Sequence, residues 1–127
     1  MTFSSVVTLK GASEEFAVGR TLAFLKEVGE DSSSVVFRSD QEPAIIDLIN
    51  EVARRRQAKS FIEQSSAGSS ASNGIAERAV QSVEGHVRTI RDALQHRLRI
   101  VIPSDQAIIA WMVEYVGVLL SRYEVGE

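Results

Sequence analysis

Between Ser65 and Arg91 a stretch built largely of serine, alanine and glycine gives way to a long amphipathic pattern, and this junction restricts what the whole chain can fold into. Beyond it Val80, Val83, Val87, Ile90 and Leu94 recur at alternating spacings of three and four, the apolar stripe of an α-helix expected to run to about Leu98. The phrase Ser72-Asn73-Gly74-Ile75-Ala76-Glu77-Arg78 marks the predicted helix start, which puts Glu77 in the first turn beside a ten-residue loop, Ser65 to Gly74. Glu77 lies about 100° from the stripe, in a row with Gln81, Glu84, Arg88 and Arg91, and so looks toward solvent. A first-turn acid that merely complements the helix dipole would look the same.

A second segment gives that acid another meaning. Ser34-Val35-Val36-Phe37-Arg38-Ser39-Asp40 is a β-branched and aromatic run ending on a carboxylate, and Gln41-Glu42-Pro43 then opens a helical pattern. A strand ending in an acid, followed by proline at a helix start, suits an open α/β sheet, where ligands gather at the carboxyl ends of strands. Asp40 is therefore a candidate site residue.

The two phrases together resemble the catalytic core of retrotransposon and retroviral integrases, most closely the copia-like type, within the ribonuclease H-like superfamily. The matching residues are Ser39-Asp40-Gln41-Glu42-Pro43 after a strand and Asn73-Gly74-Ile75-Ala76-Glu77-Arg78 opening a helix, with 36 residues between Asp40 and Glu77. The likeness extends to Ala110-Trp111 and to Leu119-Leu120-Ser121-Arg122-Tyr123, where the family usually has asparagine in place of Ser121. It implies that Asp40 and Glu77 are two of three catalytic, metal-binding carboxylates, that the cofactor is Mg²⁺ or Mn²⁺, that the partner is DNA, and that the intact family transfers DNA strands. It implies also that the loop before Glu77 covers the scissile phosphate. The family's first catalytic aspartate sits on the first strand of its fold. No Asp precedes Asp31 here, and Asp31 lies in the Gly29-Glu30-Asp31-Ser32 turn. On this reading the chain is a single domain, 1–127, that lacks the family's first two strands and one carboxylate, and it is inactive alone; whether it is an enzyme stays open.

Composition narrows the alternatives. Of the 127 residues, 44% are apolar and 24% charged, ordinary values for a globular domain. The absence of cysteine removes disulfides, thiolate zinc sites and cysteine nucleophiles. No apolar run is long enough to span a membrane and no signal segment opens the chain, so an intracellular protein with no membrane partner is expected, nuclear if it acts on chromosomal DNA. A net charge of −3 means that DNA must be met by local patches. Arg54, Arg55, Arg56 and Lys59 form the dense basic cluster, and Asn73, Arg88 and Arg91 complete the candidate nucleic-acid contacts; the cluster equally suits a solvated helix end. His86 and His96 have no partners at metal-ligand spacing.

The remaining elements follow in order. Met1 to Leu9 reads as a strand, Ser13 as an N-cap with Glu14 and Glu15 behind it, and Gly29 as the residue closing the first helix. A helix from Pro43 to about Arg56, a short strand at Ser60–Glu63 and a last helix from Gln106 to about Tyr123, capped by Ser104 or Asp105, are predicted. The last helix is apolar nearly all round, with Trp111 and Tyr115 expected in the core, and a homodimer partner could cover one of its sides. The predicted class is α/β: a truncated ribonuclease H-like fold with a small mixed sheet of two to three strands and about four helices. Exposed strand edges offer a second route to dimerisation. The alternative function is a non-catalytic nucleic-acid-binding or dimerisation module derived from an integrase.

Overall fold

In a computed structural model the chain forms, in order, α1 (Glu15–Glu27), β1 (Val35–Ser39), α2 (Pro43–Arg55), β2 (Ser60–Gln64), α3 (Ser70–Leu98) and α4 (Ala107–Tyr123). The structure describes residues 1–8, 11–12, 15–65 and 70–123, the side chains of 70–73 excepted; the expected Ser13 cap, Glu14 and Leu9 lie outside these. Two compact units result, one of residues Val7–Gly74 and one of Met1–Val6 with Ile75–Glu127. Among the described residues the chain is a mixed α/β protein of four helices and a two-stranded sheet, within the expected range.

The Val7–Gly74 unit is built around a β1–α2–β2 crossover. The two strands are parallel, paired Val35 to Ser60 through Ser39 to Gln64. Parallel strands need a long connection, and α2 provides it. Pro43 occupies the first turn of α2, where its missing N–H costs nothing, and Glu42 takes the N-cap position. Val18 and Leu25 of α1 meet Val52 of α2 in the core, with Leu22, Phe37 and Leu48 packed around them. Helix α1 ends as its sequence requires: Gly29 adopts φ 81°, Gly29 N–H bonds Lys26 O at 3.1 Å, and Glu30 N–H bonds Leu25 O at 2.8 Å. That pair of bonds is a Schellman cap, and glycine is the residue that enters it without a Cβ penalty.

In the other unit α3 and α4 are joined by a loop that α3 itself holds. Gln95 Oε1 accepts the Ile102 N–H at 2.8 Å and Arg91 Nη2 donates to Ile102 O at 2.6 Å, so one buried loop residue is gripped by two side chains a helical turn apart. Arg99 ends α3 with φ 55°, a conformation that costs a non-glycine residue about 1–2 kcal/mol, and Ile100 N–H closes on Gln95 O. Met112, Val116 and Leu120 form the buried stripe of α4. Gly117 lies beside them because the amino-terminal segment crosses there: a Cβ at 117 would stand 2.6 Å from Ser4 Oγ and 3.0 Å from Ser4 N.

Two sequence expectations are corrected. Residues 1–8 form no strand. Thr2 N–H donates to Ser121 Oγ at 2.8 Å, the Ser121 hydroxyl donates back to Thr2 O at 2.5 Å, and Ser4 Oγ donates to Val113 O at 2.5 Å. Helix α4, not a neighbouring strand, thus satisfies the backbone of Thr2. Helix α3 also starts earlier than expected, at Ser70, because serine and alanine are tolerable helix formers and one interior glycine costs only about 1 kcal/mol. The described end of the expected loop, Ser70 to Gly74, is helical, while residues 66–69 lie outside the described residues.

Candidate metal and nucleic-acid site

Asp40 follows directly on β1, at the carboxyl end of the parallel pair, and is exposed. Its surroundings are fixed by a small polar knot. The Ser65 N–H and hydroxyl both donate to Ser39 O, at 3.0 and 2.7 Å, and Gln41 Nε2 donates to Ser65 O at 3.1 Å. These bonds tie the ends of β1 and β2 together and hold the chain where it leaves the sheet. Asp40 Oδ1 accepts the Glu42 N–H at 3.1 Å, an Asx-type turn that leads into α2. That contact occupies one of its two carboxylate oxygens.

Glu77 is exposed on α3, in the other unit. With the helix beginning at Ser70 it lies in the third turn, not the first, so the partial charge of the helix end no longer explains it. Its row behaves as the wheel predicts: Gln81, Glu84 and Arg88 are exposed and Arg91 is half-buried. Among the described residues no three acidic or histidine side chains converge as a metal site would require. Two hard oxygen donors, one from each unit, do not by themselves fill the coordination shell of a Mg²⁺ or Mn²⁺ ion.

The basic cluster is largely committed to the protein itself. Arg54 donates through Nε and Nη2 to the two Glu51 oxygens at 2.8 and 2.6 Å. Arg55 donates to Glu51 Oε1 at 2.6 Å and to both oxygens of Glu15 on α1. The hydrogen bonds from the Arg54 and Arg55 guanidinium groups hold the Glu51 carboxyl down to about 2, and Arg55 lowers Glu15 as well. Arg56, expected on the same patch, is buried and turned inward. It donates to Ser60 Oγ at 2.9 Å, Glu30 O at 2.8 Å and Ser33 O at 2.7 Å, and lies over the Phe37 ring at 5.7 Å. Lys59 Nζ sits 4.8 Å from the centre of the Phe61 ring. Glu51 stands three and four residues before Arg54 and Arg55, a spacing that the sequence shows and that signals pairing.

Of the other expected contacts, Arg88 is exposed, Arg91 is used on Ile102, and the Asn73 side chain lies outside the described residues. The structure also overturns the expected burial of two aromatics. Trp111 is 60% and Tyr115 40% exposed, with rings stacked at 5.0 Å and inclined by 10°. They belong to a second stripe of α4, Ile108, Trp111, Tyr115 and Val118, all exposed and spaced three, four and three apart. That spacing is legible in the sequence, but it does not say which of two apolar stripes is covered. In comparisons with family models, curated proteins and solved structures, the chain matches none.

Proposed function

We propose that this chain derives from the catalytic core of a retroelement integrase, has DNA as its partner, and does not catalyse strand transfer by itself. The observation that carries the reading is the order of elements around the two matching phrases. A strand leads straight into Asp40, a helix opens on Pro43, a second strand pairs parallel with the first, and a long helix then bears Glu77 facing solvent. Ligand-binding acids of open α/β sheets occupy the first of these places.

Asp40 and Glu77 are the residues that would contribute oxygen ligands to Mg²⁺ or Mn²⁺. Without a third donor among the described residues the set is incomplete, and no chemical step is assigned to the chain on its own. The expected assay result is binding of duplex DNA that weakens as salt rises, with no strand transfer at any Mg²⁺ or Mn²⁺ concentration. Absence of duplex binding at low salt would remove the reading. No described helix is long and apolar enough to cross a membrane. Nuclear residence follows only if the protein meets chromosomal DNA.

A specific observation favours the second reading, a non-catalytic interaction module. Parallel sheets are ordinarily covered on both faces, yet among the described residues β1 and β2 pair only with each other, and Val36 and Phe61, paired in register, are 54% and 45% exposed. Open strand edges of this kind recruit further strands, and a second copy of the chain would supply one. Dimerisation at the sheet and DNA binding are compatible.

A further inference from the structure

We propose that the groove between α3 and α4 is a binding site for single-stranded nucleic acid, in which an unpaired base stacks on the Trp111–Tyr115 pair and Arg97 meets the adjoining phosphate. The inference rests on the nucleic-acid reading above and gives it a site apart from Asp40 and Glu77. The groove has a volume of about 330 Å³, and its lining includes Ile90, Leu94, Arg97, Ile108, Trp111 and Tyr115. Its walls are apolar, and Arg97 is the charged residue among them.

Geometry and charge both point to this ligand. The rings of Trp111 and Tyr115 are stacked on each other with nearly parallel planes, and both side chains are exposed, so the pair extends a π stack to which a base can add, a contact that tolerates any base. Asp92 is the acid in the stretch of α3 that lines the groove, and it projects about 200° around the helix from Ile90, away from the site. From Gly85 to Ile102 the sequence holds four arginines, Arg88, Arg91, Arg97 and Arg99, against that one acid, in a chain whose net charge is −3. The outer stripe of α4 continues past Val118 to Arg122, one turn on. A second apolar helix would meet the stripe without using either cation. A polymer of flat rings on an anionic backbone uses both.

Trp111 is the one tryptophan of the chain, so its fluorescence reports the site directly. The full chain is titrated with an oligothymidylate of about ten nucleotides and, separately, with duplex DNA, reading tryptophan emission together with anisotropy of the labelled DNA. The oligothymidylate should quench Trp111 saturably, Trp111→Leu and Tyr115→Leu should each weaken its binding about tenfold, and Tyr115→Phe should restore it. Arg97→Gln should lower the dependence of log K on log salt by about one. Circular dichroism shows whether each variant keeps its helices, and Arg97→Gln tests the site without touching the rings. Duplex binding with Trp111 unquenched by either DNA would overturn the site and leave the integrase reading standing, whereas binding of neither DNA would overturn both. A blue shift of Trp111 with rising protein concentration, without DNA and with a dimer in sedimentation, would assign the groove to a second copy and overturn the proposal.

Discussion

Each unit of the molecule is cross-tied by an arginine, but the two do so to different degrees. In the α1–β1–α2–β2 unit Arg56 is buried and joins the end of α2 to the α1–β1 turn through the carbonyls of Glu30 and Ser33. In the α3–α4 unit Arg91 grips one carbonyl, that of Ile102, from a half-buried position. Both units bury a small core, Val18, Leu25 and Val52 in the first and Met112, Val116 and Leu120 in the second, and both leave large apolar side chains exposed, Val36 and Phe61 in the first and Val80, Trp111 and Val118 in the second. A cationic residue in this chain is thus not marked as a ligand contact by its charge alone, since Arg56 and Arg91 serve as structural ties.

The comparison can be broken first at its strongest tie. Arg56→Ala should destabilise the first unit by about 3 kcal/mol, because it strands the Glu30 and Ser33 carbonyls and empties the space over Phe37. Thermal melting followed by circular dichroism measures this; a loss below about 1 kcal/mol would place Arg56 among surface residues after all.

A smaller effect is expected where the amino-terminal segment crosses α4. Gly117→Ala puts a methyl 2.6 Å from Ser4 Oγ. The segment must shift, at a cost of about 1–3 kcal/mol. Amide exchange of Thr2 should rise in step, since its N–H is held by Ser121. Unchanged protection at Thr2 would show that the clasp does not depend on Gly117.

The smallest effect is electrostatic and belongs to the first unit alone. Glu51 is held down to about 2 by Arg54 and Arg55, against an ordinary value of 4.5. The stability it contributes is therefore fully present above pH 4.5 and is lost as pH falls toward 2. Glu51→Gln should flatten the stability profile across that interval. An identical acid limb in the variant would assign the pH dependence to other groups.

Much of the fold was legible because local chemistry and tertiary need agree. The strands at Val35–Ser39 and Ser60–Gln64, the helix opening at Pro43, the Gly29 cap and the end of α3 at Leu98 all fall within about one residue of where turn chemistry and periodicity put them. The failures have separate physical origins. Phe3, Val6 and Val7 give the first residues a β composition, but a strand needs a neighbour, and the Ser121 and Val113 positions of α4 took the bonds instead. Ser70 to Gly74 read as loop from its small residues, although serine and alanine also suit a helix start. For the candidate site, Asp40 was legible as an acid at the end of β1 and Glu77 as a solvent-facing acid of α3, but not its place in the helix, the third turn instead of the first. Arg56 was not legible as a tie, since a run of three arginines does not reveal that the one just past the helix end turns inward.

The central proposal is that Asp40 and Glu77 each offer oxygen ligands to a divalent cation, and nuclear magnetic resonance with Mn²⁺ tests it most directly. Residues near a bound Mn²⁺ ion lose their signals by paramagnetic broadening, so the amide resonances of both can be followed in one titration. The proposal predicts saturable broadening at residue 40 and at residue 77, lost at residue 40 in Asp40→Asn and at residue 77 in Glu77→Gln. Broadening at neither residue, or broadening that each variant leaves unchanged, would contradict it.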